Sequence, residues 1–169
     1  MSESLENFTN IVKEDIKEAK TLFFSEAFKE EYLKDRREEK ELYHQLLLGR
    51  NRNQILEEFL LSSGQKKPVL LSAAKTIYQA TIMNLDEPLE IKVKREGWGY
   101  LVGRIKSDGT FLSLHKNTFQ AEDFEDGTLT IYADMKTIPK DGDIDHLIIQ
   151  TVYQTLQIEV VYKLSLIHI

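Results

Sequence analysis

The chain has 169 residues, no cysteine, three prolines and a formal net charge of −6, with 41% hydrophobic and 30% charged residues. This is the composition of a globular protein of one medium or two small domains. It excludes a disulfide framework, a thiolate metal site and a cysteine nucleophile. The acidic balance argues against nucleic acid or an anionic membrane as partner, and no apolar run approaches the roughly 20 residues of a membrane-spanning helix.

Residues 1–67 contain no proline and only Gly49 and Gly64 as glycines, and they read as helix. Ile11, Val12, Ile16, Ala19, Leu22 and Phe23 recur at steps of three and four, the period of one helix face. Ser25 is placed to cap a second short helix carrying Phe28, Tyr32 and Leu33. A third helix is predicted from about Arg37 to Leu48, with Leu42, Leu46 and Leu47 on one side and Gly49 as its stop. Asn51 or Asn53 starts a fourth, which buries Ile55, Leu56, Phe59 and Leu60 and ends at Gly64. The expectation for residues 1–67 is therefore a helical hairpin subdomain of about four short helices.

After Pro68 the period changes to two. Leu89-Glu90-Ile91-Lys92-Val93-Lys94 and Leu156-Gln157-Ile158-Glu159-Val160 alternate strictly. Further strands are predicted at Val69–Ser72, Thr76–Ile82, Tyr100–Ser107, Phe111–Leu114, Thr128–Ala133 and His146–Thr151. Asp108-Gly109 and Asp126-Gly127 between such runs are hairpin signals. Seven or eight strands without intervening helices predict an antiparallel immunoglobulin-like β-sandwich over residues 68–163. The fold class is α+β.

The last six residues, 164–169, match what a DNA string resembling a transposase end sequence used in preparing sequencing libraries would encode; the alternative is an apolar tail that extends the last strand. They read as adapter read-through, which is set aside from fold reasoning; on that reading the natural chain continues past Lys163.

Candidate chemistry is sparse. Gly97, Gly99 and Gly103 lack the spacing and the following helix of a dinucleotide fingerprint, and they read as a tight turn that relieves crowding around Trp98. Asp141, Asp143 and Asp145 alternate like calcium ligands, but His146 and Val152 stand where that loop needs glycine and glutamate, so a solvated hairpin approach is expected. Glu122, Asp123, Glu125 and Asp126 read as a charged loop. His44, His115 and His146 show no metal-binding spacing and are expected at surface or rim positions. Neither a nucleophile elbow nor a phosphate loop is present. The sole tryptophan, Trp98, reads first as a packing residue; with Tyr100, Tyr78 and Tyr153 it forms the alternative, an aromatic platform for sugar rings. No catalytic residue, metal or cofactor is assigned.

Several blocks occur in a recognisable order: Asn7-Phe8-Thr9-Asn10, then Glu18-Ala19, Leu22-Phe23-Phe24-Ser25 and Phe28, then Glu57-Glu58-Phe59-Leu60. Gly97-Trp98-Gly99-Tyr100, Asp108-Gly109 with Phe111, Asp123-Phe124 and Tyr153-Gln154-Thr155-Leu156 complete the series. Together they resemble the N-terminal region of large multidomain bacterial proteins of domain-of-unknown-function family 5717. The resemblance spans about Asn7 to Tyr162. It implies a β-rich domain before this region, a long helical array after it, and no assigned activity. Asp141-Gly142-Asp143-Ile144-Asp145 departs from the pattern, where a more basic turn is expected. The expectation is thus a non-catalytic scaffold or interaction module, cytoplasmic, whose partner is a protein or a neighbouring domain of the same chain, with carbohydrate recognition as the rival.

Overall fold

The computed structural model describes residues 4–164. The chain divides into two compact units, one of Met1–Pro68 with Trp98–Tyr100, the other of Val69–Gly97 with the chain from Leu101 onward.

Among the described residues the first unit holds five α-helices: α1 (Leu5–Glu14), α2 (Ile16–Phe23), α3 (Ala27–Tyr32), α4 (Arg37–Leu46) and α5 (Arg52–Ser62). The first helical stretch is two helices because Asp15 leaves helical geometry at φ −148° and ψ 91°, ending α1 and capping α2 through Oδ1, which accepts from Glu18 N at 3.1 Å. Ile16 consequently opens α2 on its exposed side rather than joining the buried face. Ser25 is not a cap: its hydroxyl donates to Leu22 O, and the N-cap position of α3 is Glu26, which makes no side-chain cap. Asn51 does cap α5, accepting from Gln54 N at 3.1 Å. That helix closes with Gln65 N donating to Leu60 O and Gly64 N to Leu61 O, the paired bonds of a Schellman end.

The unit is held by aromatic packing. Phe8, Phe23, Phe28 and Phe59 are fully buried, with Tyr32 and Tyr43 nearly so. Phe23 is the hub, meeting Phe28 and Tyr43 at 4.9 Å and Phe59 at 5.2 Å between ring centroids. Edge-to-face and tilted pairs of this kind add about 0.5–1.5 kcal/mol each beyond burial. The Tyr43 hydroxyl donates to Phe23 O, and burial pushes its pKa up.

Among the described residues the second unit has nine strands: β1 (Leu70–Ala73), β2 (Ile77–Ala80), β3 (Leu89–Glu96), β4 (Val102–Ser107), β5 (Leu112–Leu114), β6 (Thr118–Gln120), β7 (Thr128–Met135), β8 (Ile144–Gln150) and β9 (Thr155–Tyr162). They form a four-stranded sheet in the order β1-β3-β7-β5 and a five-stranded sheet in the order β2-β9-β8-β4-β6. Both sheets bury alternate residues in one core. Ile91, Val93, Ile131 and Leu112 enter from the first, and Ile105, Leu147, Ile158 and Val160 from the second.

Two expectations change here. The sandwich is not wholly antiparallel, because β2 pairs parallel to β9, from Ile77 opposite Glu159 to Ala80 opposite Tyr162. Asp108-Gly109 is not a hairpin turn: β4 lies in the five-stranded sheet and β5 in the four-stranded one, so this turn carries the chain across the core. Asp126-Gly127 is the two-residue turn, between Glu125 and Thr128. In immunoglobulin lettering β1-β3-β7-β5 fills the A-B-E-D order and β9-β8-β4 the G-F-C order. The departure is that β5, beside the E-position strand, precedes β6, the strand added beside C.

Candidate functional site

Three polar arrangements stand out, and each is built by main chain as much as by side chains. The first lies in the helical unit. Glu57 sits on the buried side of α5, and Lys66 follows the Schellman end of the same helix. Their side chains are 4% and 0% exposed, and Lys66 Nζ lies 2.6 Å from Glu57 Oε1. The same ammonium donates to Trp98 O at 2.6 Å and stands 4.3 Å from the Trp98 ring centroid. Lys13 Nζ lies 5.0 Å from that centroid. Desolvated cation–π contacts reach about 2 kcal/mol. Gly99 follows with φ +93°, and a Cβ there would stand 3.0 Å from Lys66 Nζ, so both the backbone conformation and the approach of the ammonium call for glycine.

The second arrangement links the β4–β5 turn to β8. Asp145 is fully buried, and its Oδ2 accepts from Phe111 N at 3.0 Å and Leu112 N at 2.9 Å. It points inward because it is in phase with Leu147 and Ile149 along β8. The expected solvated acidic run therefore fails at this residue. Asp143 instead caps its own turn, accepting from Lys140 N, and Asp141 accepts from Leu164 N. His146, next along β8, faces outward and places Nδ1 2.6 Å from Asp108 Oδ2. Desolvation, and then a hydrogen bond shared with Asp108, push Asp145 up. The same shared bond and contacts to His146 hold Asp108 far below the usual carboxylate range. The Asp108 carboxylate raises His146.

The third is a hydrogen-bonded plug. Leu71 in β1 turns its main chain toward Gln154, whose Oε1 accepts from Leu71 N at 2.8 Å and whose Nε2 donates to Leu71 O at 2.7 Å. The side-chain amide thus satisfies the edge of β1 as a neighbouring strand would.

The aromatic residues singled out in the sequence are distributed between the units. Trp98 and Tyr100 belong to the helical unit, where Trp98 packs on the aromatic core. Tyr78 and Tyr153 belong to the sandwich; Tyr78 is 8% exposed, and its hydroxyl accepts from Lys92 N at 3.0 Å. Trp98, Tyr100 and Tyr153 keep part of their surface accessible. Gly103 does not relieve crowding around Trp98. A Cβ on it would stand 2.2 Å from Phe119 Cζ and 2.6 Å from Gln150 O, so Gly103 admits the Phe119 ring between β4 and β6.

A groove of about 1060 Å³ runs along β4 and β6, lined by Val102, Arg104, Lys116, Thr118, Gln150 and Val152 among others. His115 at its rim lies 2.8 Å from Asp134 and stacks on Tyr132. Among the described residues no group of three or more His, Asp or Glu side chains is arranged to hold a metal ion, and no helix is long and apolar enough to cross a membrane.

A five-helix unit and a two-sheet unit, with their polar side chains turned onto main chain, define an α+β protein whose built sites are clamps. The chain belongs to the family of unknown function DUF5717, as its N-terminal region: the family profile matches residues 2–167. No curated protein matches it. Among solved structures it is similar to the E. coli chaperone DraB, with 7% identity over 56% of this chain and 55% of that one, at a TM-score of 0.44. It thus spans about half the length of that structure. The apo Calx CBD1 domain gives 11% identity over 57% and 99%, at 0.39, and the titin M3 domain 6% over 59% and 100%, at 0.34. The architecture rests on the strand order itself.

Proposed function

We propose that this region is a non-catalytic structural or protein-interaction module of a larger multidomain bacterial protein, working in the cytoplasm. Its immunoglobulin-like sandwich and helical hairpins recognise a protein partner or hold neighbouring domains in fixed positions. One observation carries the reading: the polar groups best placed for chemistry are spent on the chain's own backbone. Lys66 binds Trp98 O, Asp145 binds the Phe111 and Leu112 amides, and Gln154 binds both main-chain groups of Leu71. A side chain consumed in this way stabilises a turn and has little left for a substrate. The test is a panel of hydrolase and transferase substrates offered to the full chain. Turnover abolished by a single substitution in a variant that stays folded overturns the proposal; no turnover above blank supports it.

The second reading, sugar recognition by aromatic side chains near Trp98, draws on the partial accessibility of Trp98 and Tyr100, which lie in the same unit. A glycan array with the full chain decides it. Binding that weakens in Trp98→Phe favours it, and no binding, or binding indifferent to that change, dismisses it.

A further inference from the structure

The β4–β5 turn is fastened to β8 by ionisable groups that no catalytic role needs. Asp108 Oδ1 accepts from His146 N at 3.3 Å and from the Thr110 hydroxyl at 3.3 Å, while Oδ2 meets His146 Nδ1. Asp145 holds the next two amides of the turn through Oδ2, and its Oδ1 is buried without a donor. A proton on Oδ1, donated to Asp108, satisfies that oxygen.

We infer that Asp108, Asp145 and His146 form a proton-loaded latch that holds the Asp108–Leu112 turn, and with it edge strand β5, against β8, and that loosens as Asp145 and His146 lose their protons. The latch lies directly before β5, the three-residue strand that covers the edge of β7 from Leu112 opposite Met135 to Leu114 opposite Ala133. Loosening it uncovers a strand edge, the element through which sandwiches add a strand from a partner.

The charged groups around it agree on the direction. His146 faces Asp108 from the turn and Glu159 from β9, whose Oε1 lies 3.9 Å from Nε2. Lys106, two residues before Asp108 and opposite Ile148, makes no ion pair with them among the described residues. Asp143 is turned to Lys140 N. With His146 and Asp145 protonated, Asp108, Glu159 and His146 sum to one negative charge; with both protons gone, Asp108, Asp145 and Glu159 sum to three. Both protonated groups are raised in the fold, so their contribution is fully present below the unfolded values and is lost as pH rises through the folded ones. Asp108 is lowered, so its contribution is present above its unfolded value and is lost only in strong acid.

The test is amide exchange by NMR on the full chain. Corrected for intrinsic rates, protection of Phe111 and Leu112 is expected to fall relative to Ile91 and Val93 as pH rises from about 4, the ordinary carboxylate value, through the imidazole range to about 9. Asp145→Asn supplies a donor that does not titrate and is expected to flatten that fall. His146→Gln, a surface change that leaves the buried carboxyl in place, is expected to reduce it and covers the case in which Asp145→Asn does not fold. Parallel behaviour of Phe111, Leu112, Ile91 and Val93 in the native chain overturns the latch. So does an undiminished fall in either variant.

Discussion

Lys66→Met tests the clamp of the helical unit most directly. The substitution keeps the stem of the side chain but removes the ammonium, so Glu57, 4% exposed, keeps a buried charge without the Lys66 ammonium, and Trp98 O loses its donor. Breaking one side of a buried pair costs about 3–5 kcal/mol, a large part of the roughly 5–15 kcal/mol that holds a domain together. Urea slopes of about 1–3 kcal/mol per molar convert this into a midpoint at least about 1 M lower. The assay is urea unfolding followed by far-UV circular dichroism and by fluorescence of Trp98, the only tryptophan, which sits at the clamp. The double variant Glu57→Leu/Lys66→Met removes both charges and is expected to recover at least about 2 kcal/mol of the single variant's loss. It stops short of the native value because the Trp98 carbonyl remains without its donor, at about 1–3 kcal/mol. A loss below about 1 kcal/mol in Lys66→Met, or a double variant that loses the sum of both single changes, refutes the reasoning.

Gly103→Ala is expected to cost about 1–3 kcal/mol in thermal or urea unfolding, because its Cβ meets Phe119 at 2.2 Å and the Gln150 carbonyl at 2.6 Å. Adding Phe119→Leu returns only part of this, since the carbonyl contact stays; full rescue contradicts the geometry. Gln154→Ala leaves Leu71 N–H and C=O without the plug and is expected to cost about 1–3 kcal/mol and to raise self-association in light scattering. An unchanged melting temperature and a monodisperse variant contradict that role.

The regular parts of the fold were legible because they rest on local pattern. The strict alternation at Leu89–Lys94 and the apolar steps of Ile55, Leu56, Phe59 and Leu60 became β3 and α5. What the pattern hid depended on distance along the chain. The break at Asp15 was masked because the apolar steps continue through it, and β6 has only three residues, Thr118–Gln120, too few to show a period. The parallel pairing of β2 with β9 joins residues about eighty positions apart, beyond the reach of any local signal. Lys66 lay in the Gly64–Pro68 stretch that looks like a polar connector, and nothing local tied it to Trp98. Asp145 did carry a signal, its phase with Leu147 and Ile149, outweighed by the neighbouring Asp141 and Asp143. The adapter reading of 164–169 lies, apart from Leu164, outside the described residues.

Beside core residues such as Phe8, Phe23, Phe28 and Phe59, the blocks that carry the family resemblance hold several residues with a common physical content. Glu57 of the second block and Trp98 with Gly99 of the third meet in the lysine clamp. Asp108 anchors the latch, Asp123 accepts from Gln120 N beside Phe124, whose ring meets Phe119 at 6.0 Å, and Gln154 plugs β1. Each is a polar side chain or a small residue that fixes a turn or an edge where the hydrophobic pattern alone leaves several registers open. A series of such residues in fixed order therefore marks the geometry of the fold. The groove along β4 and β6 shares one of these residues, Asp123, and is otherwise lined by residues such as Val102, Arg104, Thr118 and Val152. Asp123 is thus both the cap of the turn after β6 and part of the groove wall, so the shape of that wall is set by the same main-chain bond that fixes the turn.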